Sequence, residues 1–556
     1  MATKYVVRIT KRERFSAVLD YKIITSMDML EPYRSTWSGI LEQEKNNNPF
    51  IEYEWVTTWW ATLGIHDNVE IFIVEHQGTA VAFFPLVHTV GFGKIHYFGF
   101  LGQGYATYME VIAEKQWMER AIHYILKVFT QKYKRYLLVF QGLIESKDTS
   151  QQLEKYAIEY QMPYSIFRTV TSFIDFQSMT VDDFLKKHRK TFKSIKRYEK
   201  KLKLFGRLDF QDVGVNHFHK MFTLFMRRWR KKLDKSRFTE AQTRLFYERL
   251  ADVSNEAFRV EVDSLQFEGH WISFTIDLCC RDRNFCQAMG HEPDFNRFGP
   301  GSLIEKENML KAHDSGFRYY DFGSGYEPYK FQWYTDIDFT RKFIMSTKGT
   351  TERFIRSWMV LRDRVKGKLT NNHQLVKLKR DRLGELLYFL KHARTREWLR
   401  LMKGVLQRIV AIHRIDIYIA EQKYDQGYMP FEELHMKDIM TLNERPAYIA
   451  HFYKGNRFFG DGDQIVYRRH DHIAYEEVSG YTYELSANMS FIREYDTQLL
   501  KEIVVEVQRE GRSVCTIAPW YEGRRRRKLK QAGFHKVSQI TLVRLFKWRK
   551  EFHAKQ

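Results

Sequence analysis

Two stretches of this chain repeat one order of elements, and this repeat constrains the fold more than any other sequence feature. Each stretch contains a hairpin of two apolar runs, the first over Val69 to Thr89 and the second over Phe258 to Cys280. A loop, a helix and a buried type of strand follow each hairpin, and these strands correspond as Tyr136 to Gly142 and Tyr319 to Gly325. An internal repeat of this length predicts two divergent copies of one supersecondary unit. The predicted fold class is therefore α/β (α+β), with tandem mixed sheets flanked by helices.

The second copy contains a glycine-rich stretch that is typical of an anion-binding site. Residues 297–333 read RFGPGSLIEKENMLKAHDSGFRYYDFGSGYEPYKFQW. A Gly-Pro-Gly turn opens a predicted helix that ends at Gly316, and a strand from Phe317 to Phe322 leads into a second glycine-rich loop. Uncovered backbone N–H groups at a helix N-terminus attract phosphate. Glycine content alone is equally typical of a tight turn followed by a helix stop.

The order of these motifs resembles the CelD-like (BioF2-like) acetyltransferase domain, a branch of the GNAT superfamily of acyl-CoA N-acyltransferases. The resemblance rests on G-P-G, a helix, S-G-F-R and then D-F-G-S-G followed by Y-K-F-Q-W, and covers roughly residues 20–345. It includes FIEYEWVTTWW at 50–60 and a basic helix, FLKKHRKTFKSIKRYEKKLKLFG, at 184–206. It implies tandem GNAT-like halves, as in the distantly similar Fem-type aminoacyltransferases, and acetyl-CoA or another acyl-CoA as co-substrate.

The same resemblance implies a direct acyl transfer, in which a backbone N–H polarises the thioester carbonyl beside a neutral amine. Most of the rate then comes from positioning and from stabilisation of the oxyanion. The strand from Asn284 to Gly290 is the expected central strand, and the turn after it would face the pyrophosphate of the cofactor. Within that turn the implied cofactor-binding residues are Arg297, Gly299, Gly301 and Ser302. Arg297 stands two residues before the first glycine rather than three, and Pro300 removes one N–H donor.

Six polar side chains of the second copy are candidates for the chemistry: His291, Glu292, Asp321, Tyr326, Tyr329 and Lys330. His291 follows the central strand and has a side chain suited to proton transfer near neutral pH, with Glu292 and Asp321 as alternatives. Asp321 is expected chiefly to orient the acceptor or Lys330. Tyr329 or Tyr326 would protonate the departing thiolate, and Lys330 would bind an acceptor carboxylate or phosphate. A packed tyrosine and a snorkelling lysine are the structural alternative for Tyr329 and Lys330.

The chain length of 556 residues suits three or four domains. The predicted segments are an N-terminal GNAT-like domain (1–180), a second GNAT-like, CelD-like domain (181–345) that contains the basic helix 184–206, a helical hairpin linker (346–412) and a C-terminal GNAT-like domain (413–556). In the last of these, 447–453 is predicted as a strand, and the loop SFIREYDTQLL lacks the glycines of a pyrophosphate loop. This domain is therefore expected to bind an acceptor or only to support the assembly. Four consecutive arginines, Arg524 to Arg527, lie near a predicted helix start, where positive charge is unfavourable. They indicate either an anionic partner or a run of exposed surface residues.

The net charge and the cysteine content limit which partners and which cellular compartment the sequence predicts. The formal net charge is +22, which attracts nucleic acid, anionic lipid or an anionic cofactor, and is equally consistent with a generic solvated surface. The four cysteines show no paired spacing, so we expect free thiols in a reducing compartment and no metal site. No apolar window approaches the length of a membrane span. A cytoplasmic protein is predicted, with contact to the inner face of an anionic membrane left open.

The sequence thus predicts an acyl-CoA-dependent N-acyltransferase that acetylates an amino sugar or sugar nucleotide in cell-surface polysaccharide biosynthesis. Its partner would be a small-molecule amine acceptor. The first alternative is a Fem-like transferase that uses aminoacyl-tRNA on a peptidoglycan precursor, in which case tRNA would be the expected nucleic acid. The second alternative is a scaffold without catalysis in a polysaccharide-synthesis complex. The sequence leaves the oligomeric state open.

Overall fold

The computed structural model describes residues 19–214, 217–229, 241–370, 410–420, 431–440, 445–461, 464–470, 474–478, 481–485, 489–492, 497–509, 511–545 and 548–555. Within these ranges the chain forms two large sheets flanked by helices, which confirms the predicted α/β class. None of the described helices is long and apolar enough to cross a membrane.

The described part of the first half begins with a short strand and ends with a long one. Its strands are β1 (Leu19–Ile24), β2 (Val69–His76), β3 (Thr79–Gly91), β4 (Ile95–Phe100), β5 (Ile112–Ala113), β6 (Tyr136–Ile144) and β7 (Tyr164–Asp175). Its helices are α1 (Met27–Leu30), α2 (Arg34–Gln43), α3 (Tyr53–Thr62), α4 (Lys115–Lys132) and α5 (Asp148–Glu159).

The second half follows the same plan. Its strands are β8 (Leu208–Asp212), β9 (Phe258–Phe267), β10 (His270–Cys280), β11 (Arg283–His291), β12 (Tyr319–Ser324) and β13 (Asp336–Ser346). Its helices are α6 (Val181–Lys187), α7 (Arg189–Lys203), α8 (Phe218–Trp229), α9 (Ala241–Asp252), α10 (Pro300–Asp314) and α11 (Thr350–Thr370).

The two halves share one sheet, and the order of its strands confirms the internal repeat. The order is β1-β2-β3-β4-β6-β13-β7-β12-β11-β10-β9-β8, with β5 paired to β3. Read from the outer edge inward, the first half contributes β1-β2-β3-β4-β6 and the second half β8-β9-β10-β11-β12. Each half contains one parallel pair at the end of its series, β4 with β6 and β11 with β12. The final strands are exchanged, because β13 pairs with β6 and β7, while β7 also pairs with β12. Neither half therefore completes its sheet without the other.

The hairpins of both copies form as predicted. Gln77-Gly78 and Glu268-Gly269 turn them, and all four residues have positive φ between 48° and 83°. Two consecutive residues of positive φ are what a type I′ turn requires, and that turn matches the twist of the flanking strands. The glycine at the second position accepts this conformation without steric cost.

Aromatic side chains join the halves in one core. Trp55 of the predicted aromatic helix is 1% exposed and packs edge-on against Phe50 and against Phe246 of α9, with ring centroids 5.6 and 5.7 Å apart. Phe50 in turn meets Phe285 of the central strand β11 at 4.9 Å. The aromatic stripe at 50–60 is therefore a packing element that links the halves.

The basic helix predicted over 184–206 is divided in the structure. α6 ends at Lys187 and α7 begins at Arg189, with His188 at a non-helical ψ of 16° between them. This break lets Phe184 and Phe192 both pack on Trp333, with ring centroids 6.5 and 4.9 Å away. The prediction of one continuous helix was wrong because tertiary packing on Trp333 outweighs the helical pattern of the charges.

The C-terminal unit builds a separate sheet. Its strands are β14 (Val410–Ala420), β15 (Glu432–Leu434), β16 (Asn456–Asp461), β17 (Gln464–His470), β18 (Ala474–Val478), β19 (Tyr481–Leu485), β20 (Met489–Ile492), β21 (Ser513–Pro519), β22 (Phe534–Leu545) and β23 (Trp548–Lys555). Its helices are α12 (Arg445–Tyr453), α13 (Thr497–Arg509) and α14 (Gly523–Gln531). The larger sheet runs β15-β16-β17-β20-β21-β14-β22-β23, and β18 pairs with β19 alone.

Two predictions outside the tandem halves have different outcomes. Residues 447–453 form part of α12 rather than the predicted strand, and a short apolar run such as YIAHFY fits either state by pattern alone. Of the predicted helical hairpin at 346–412, α11 is described as a helix, while 371–409 lie outside the described residues. On α11 the apolar side chains of Phe354, Trp358 and Leu361 are exposed.

Candidate active site

The central strand of the second half, β11, carries a bulge next to a gap in the sheet. Gln287 is the extra residue of this bulge, because Ala288 pairs with Ile276 and Cys286 with Asp277. Within the described chain, β11 and the parallel strand β12 pair only from Arg283 to Phe285. Beyond Phe285 the two strands diverge, and the bulge interrupts the ladder beside this opening. An opening of this kind can admit an extended acyl chain and present a backbone N–H to its carbonyl.

The turn after β11 leads directly into the first turn of α10. Gly299 has φ +60°, and a methyl group at this position would lie 2.9 Å from a ring carbon of Tyr198 on α7. The N–H groups of Ser302 and Leu303 donate to the Gly299 carbonyl at 3.0 and 3.1 Å. Since Pro300 has no N–H, Gly301 carries the first-turn N–H that suits an external anion. Gly299 and Gly301 thus lie at the N-terminus of α10, where the phosphate-binding turn was predicted, and their role toward a cofactor stays a prediction.

His291 lies beside this first turn. Its Nδ1 would be 3.5 Å from a methyl group placed on Gly301, and its Nε2 lies 2.7 Å from Oδ1 of Asn296. If the Asn296 oxygen accepts this hydrogen bond, Nε2 carries the proton and Nδ1 is the basic nitrogen that faces α10. Four residues separate His291 from Gln287, which corresponds to about 13 Å along a strand. The bulge and the first turn of α10 therefore lie near opposite ends of this part of β11.

Arg297 and Ser302, the other two predicted cofactor contacts, lie on either side of Gly299. Arg297 is exposed in the 3-10 helix Pro293–Phe298, and Ser302 is half-buried in the first turn of α10. The structure thus brings all four predicted cofactor-binding residues to the same helix N-terminus. Within the described ranges, no three His, Cys, Asp or Glu side chains are grouped to hold a metal ion.

Asp321 lies in a different place from the one predicted for it. Its carboxylate is fully buried, forms an ion pair with Arg283, and accepts hydrogen bonds from the Tyr108 hydroxyl at 2.8 Å and the Gly323 N–H at 2.7 Å. Burial, followed by the charge of Asp321, raises the pKa of Tyr108. The hydrogen bonds and the ion pair described for Asp321 do not involve Lys330, and its role in orienting the acceptor or this lysine stays a prediction. The carboxylate instead ties the loop before β5 to the two strands of the second half.

Lys330 and Tyr329 lie in a short 3-10 helix, Pro328–Gln332, after the glycine-rich loop. The Nζ of Lys330 donates to the Ser324 carbonyl at 2.7 Å and lies 3.2 Å from Oε2 of Glu327. Lys330 is 7% exposed, whereas Tyr329 is 37% exposed. Lys330 therefore stabilises the loop conformation, while Tyr329 remains open to solvent. Their roles toward an acceptor stay predictions.

Glu305 is a buried acid of this region that the sequence did not single out. It lies on α10, is 3% exposed, and accepts a hydrogen bond from Nε1 of Trp333 at 3.0 Å. Burial raises the pKa of Glu305 to about 8, against the opposing effects of the Trp333 hydrogen bond and the charge of Lys330. Sequence reasoning also missed Gln287 and Arg283. A bulge has no residue signature in this strand, and the partner of Arg283 lies on another strand.

Comparison with protein families identifies one match, to the acetyltransferase (GNAT) domain, over residues 189–331. No curated protein matches the sequence. Among solved structures, FemX is 9% identical with a TM-score of 0.41, covering 56% of this chain and 95% of its own. A tandem GNAT protein from the clavulanic acid biosynthesis pathway is 10% identical with a TM-score of 0.35, covering 59% and 98%. A GCN5-related N-acetyltransferase from Sphaerobacter thermophilus is 8% identical with a TM-score of 0.29, covering 59% and 95%.

These structural likenesses are too distant to carry any conclusion about chemistry. The family match is independent of them and runs from the first residue of α7 to Phe331. It includes β11 with its bulge, the turn at Gly299, the whole of α10 and the buried Asp321. Residues 189–331 of this chain are therefore similar to the acetyltransferase (GNAT) domain.

Proposed function

We propose that this protein is an acyl-CoA-dependent N-acyltransferase whose second half binds acetyl-CoA. The observation that carries the proposal is the order of features from Gln287 to Gly301, namely a strand bulge, a parallel pairing that ends at Phe285 and a helix N-terminus. An acyl-CoA needs an anion site and an extended channel about as far apart as these features. The first turn of α10 would hold the phosphates, and the acetyl group would lie at the bulge.

In this arrangement the protein contributes mainly position and an oxyanion site. The lone pair of the acceptor amine attacks the thioester carbonyl carbon, and a backbone N–H at the bulge stabilises the oxygen as it gains charge. The carbon–sulfur bond then breaks, the thiolate accepts a proton, and the amine loses one. Tyr329, which is exposed on the loop after β12, is the proposed donor to the thiolate. The position of His291 beside Gly301 favours contact with the phosphates of the donor over abstraction of the amine proton.

The acceptor in this proposal is a primary amine of an amino sugar or sugar nucleotide used for a cell-surface polysaccharide. This choice rests on the resemblance of residues 20–345 to CelD-like acetyltransferases. The proposed location is the cytoplasm or the adjacent face of an anionic membrane. Within the described residues, Cys279, Cys280 and Cys286 form no disulfide, which suits such a reducing compartment.

The test is release of free CoA thiol from acetyl-CoA in the presence of a panel of amino sugars and amino-sugar nucleotides. We expect acceptor-dependent release by the wild type. For H291Q we expect KM for acetyl-CoA to rise about tenfold with a smaller change in kcat, because a lost phosphate contact weakens donor binding. His313→Gln, at the exposed far end of α10, is the matched control and should behave as wild type.

Two other outcomes would change the proposal. A loss of kcat in H291Q at unchanged KM would assign His291 as the base. No thiol release with any amine, together with tight and strongly salt-dependent binding of aminoacyl-tRNA, would replace acetyl-CoA by the Fem-like alternative.

A further inference from the structure

The C-terminal unit packs against the turn that forms the proposed phosphate site. Tyr453 of α12 meets the ring of Phe298 at 5.1 Å between centroids, and Nζ of Lys201 on α7 lies 3.7 Å from the centroid of the Tyr453 ring. Phe452 packs against Phe205 at 5.5 Å. These contacts place α12 on the 3-10 helix Pro293–Phe298, between β11 and α10.

One charged side chain crosses this contact. The guanidinium of Arg445, at the start of α12, pairs with Oε2 of Glu292 at 3.1 Å and with Oδ2 of Asp294 at 2.8 Å. A third nitrogen donates to the Met440 carbonyl at 3.2 Å. Glu292 is 4% exposed, and the side chain of Arg445 is 19% exposed, so the group is largely removed from water. Charge pairs in such surroundings are screened less than surface pairs.

The two carboxylates occupy an unfavourable place for a protein that binds an anion. Glu292 follows His291 directly, and Asp294 lies two residues before Asn296, the hydrogen-bond partner of His291. Without a cation, both negative charges would lie in the segment that leads from β11 to the helix N-terminus proposed to hold phosphates. Like charges within about 10 Å repel measurably at ordinary salt concentration. The two ion pairs of Arg445 oppose this repulsion.

We infer that Arg445 of the C-terminal unit is a positioning residue of the acyl-CoA site, which neutralises Glu292 and Asp294 so that an anionic donor can bind at α10. The inference rests on the proposed function. It gives the C-terminal unit a task in the reaction of the second half, even though its own loop lacks the glycines of a phosphate site. Arg445 acts through the turn and does not touch the reacting atoms.

The experiment measures the affinity of the full chain for acetyl-CoA by calorimetry, at low and at high salt. We expect Arg445→Gln to weaken binding about fivefold at 50 mM salt, with a smaller loss at 500 mM, because screening reduces the repulsion. Arg445→Lys keeps the charge and should retain most of the affinity. Arg457→Gln is the matched control, because Arg457 pairs with Glu433 inside the C-terminal unit and should not affect binding.

A variant without all three charges shows whether Arg445 acts by neutralising the carboxylates or only by holding the C-terminal unit against the turn. Removing all three charges together, as Arg445→Gln with Glu292→Gln and Asp294→Asn, should restore affinity to within about twofold of the wild type. If this triple variant stays as weak as Arg445→Gln, the arginine acts only as a docking contact and the inference is overturned. Unchanged affinity in Arg445→Gln would overturn it as well. A wild type that binds no acetyl-CoA would instead refute the proposed function, so the two failures are distinguishable.

Discussion

Asp321→Ala is expected to destabilise the tandem halves by about 3–5 kcal/mol, because it leaves the buried charge of Arg283 without its partner. The same change removes the acceptor of the Tyr108 hydroxyl and of the Gly323 N–H. Denaturant unfolding of the full chain, followed by tryptophan fluorescence, measures the effect. Glu119→Ala, which breaks the exposed pair with Lys155, is the control and should cost no more than about 1 kcal/mol.

The double variant Arg283→Met/Asp321→Leu sharpens this prediction. Removing both charges should cost less than Asp321→Ala alone, since no buried charge is then left unpaired. An Asp321→Ala protein with unchanged stability and no transferase activity would contradict the structural role. Asp321 would then be the catalytic acid or base that the sequence offered as an alternative to His291.

Glu305→Gln is expected to stabilise the protein at pH 8.5 and to have little effect at pH 5. The folded-state pKa of Glu305, raised to about 8 by burial, exceeds the ordinary value near 4.5. The folded chain therefore holds a proton that the unfolded chain releases, and stability falls as pH rises from about 4.5 to about 8. This difference between the folded-state pKa and the ordinary pKa corresponds to about 5 kcal/mol in the free energy of unfolding. Glutamine cannot ionise and still accepts the Trp333 hydrogen bond, so the variant should lose this dependence.

The measurement is the free energy of unfolding of wild type and Glu305→Gln at pH 5, 7 and 8.5. Glu307→Gln is the control, because Glu307 lies on the same helix in a partly exposed pair with Lys306 and should leave the pH profile unchanged. Parallel profiles for wild type and Glu305→Gln would contradict the raised pKa. They would indicate that Glu305 is already ionised at neutral pH and compensated by Lys330.

The sequence predicted those parts of the fold that depend on local pattern. The hairpins turn at Gln77-Gly78 and Glu268-Gly269 because glycine and its neighbour can adopt positive φ. The exchange of β7 and β13 between the halves was not predicted, since strand order in a sheet depends on contacts far apart in sequence. The break at His188 also depends on distant packing, here against Trp333.

In the candidate site, too, the sequence predicted the features that depend on local pattern and missed those that depend on distant contacts. Gly299 and Gly301 lie where the G-P-G motif predicted, because a helix N-terminus is encoded by consecutive residues. The contacts of Asp321 were not predicted, because its partner Tyr108 lies 213 residues earlier. Glu305 was missed because a charged residue on a helix is usually exposed, and its hydrogen-bond partner Trp333 lies 28 residues later.

The most direct test of the account is calorimetric titration of the full chain with acetyl-CoA, in the wild type and in Gly301→Trp. The indole would cover the first turn of α10, whereas Gly523→Trp places the same group at the first residue of α14, where an added Cβ meets no atom within 4 Å. The account predicts micromolar binding by the wild type and by Gly523→Trp, and none by Gly301→Trp. Equal binding by all three proteins would place the donor elsewhere, and absence of binding by the wild type would contradict the acetyl-CoA site itself.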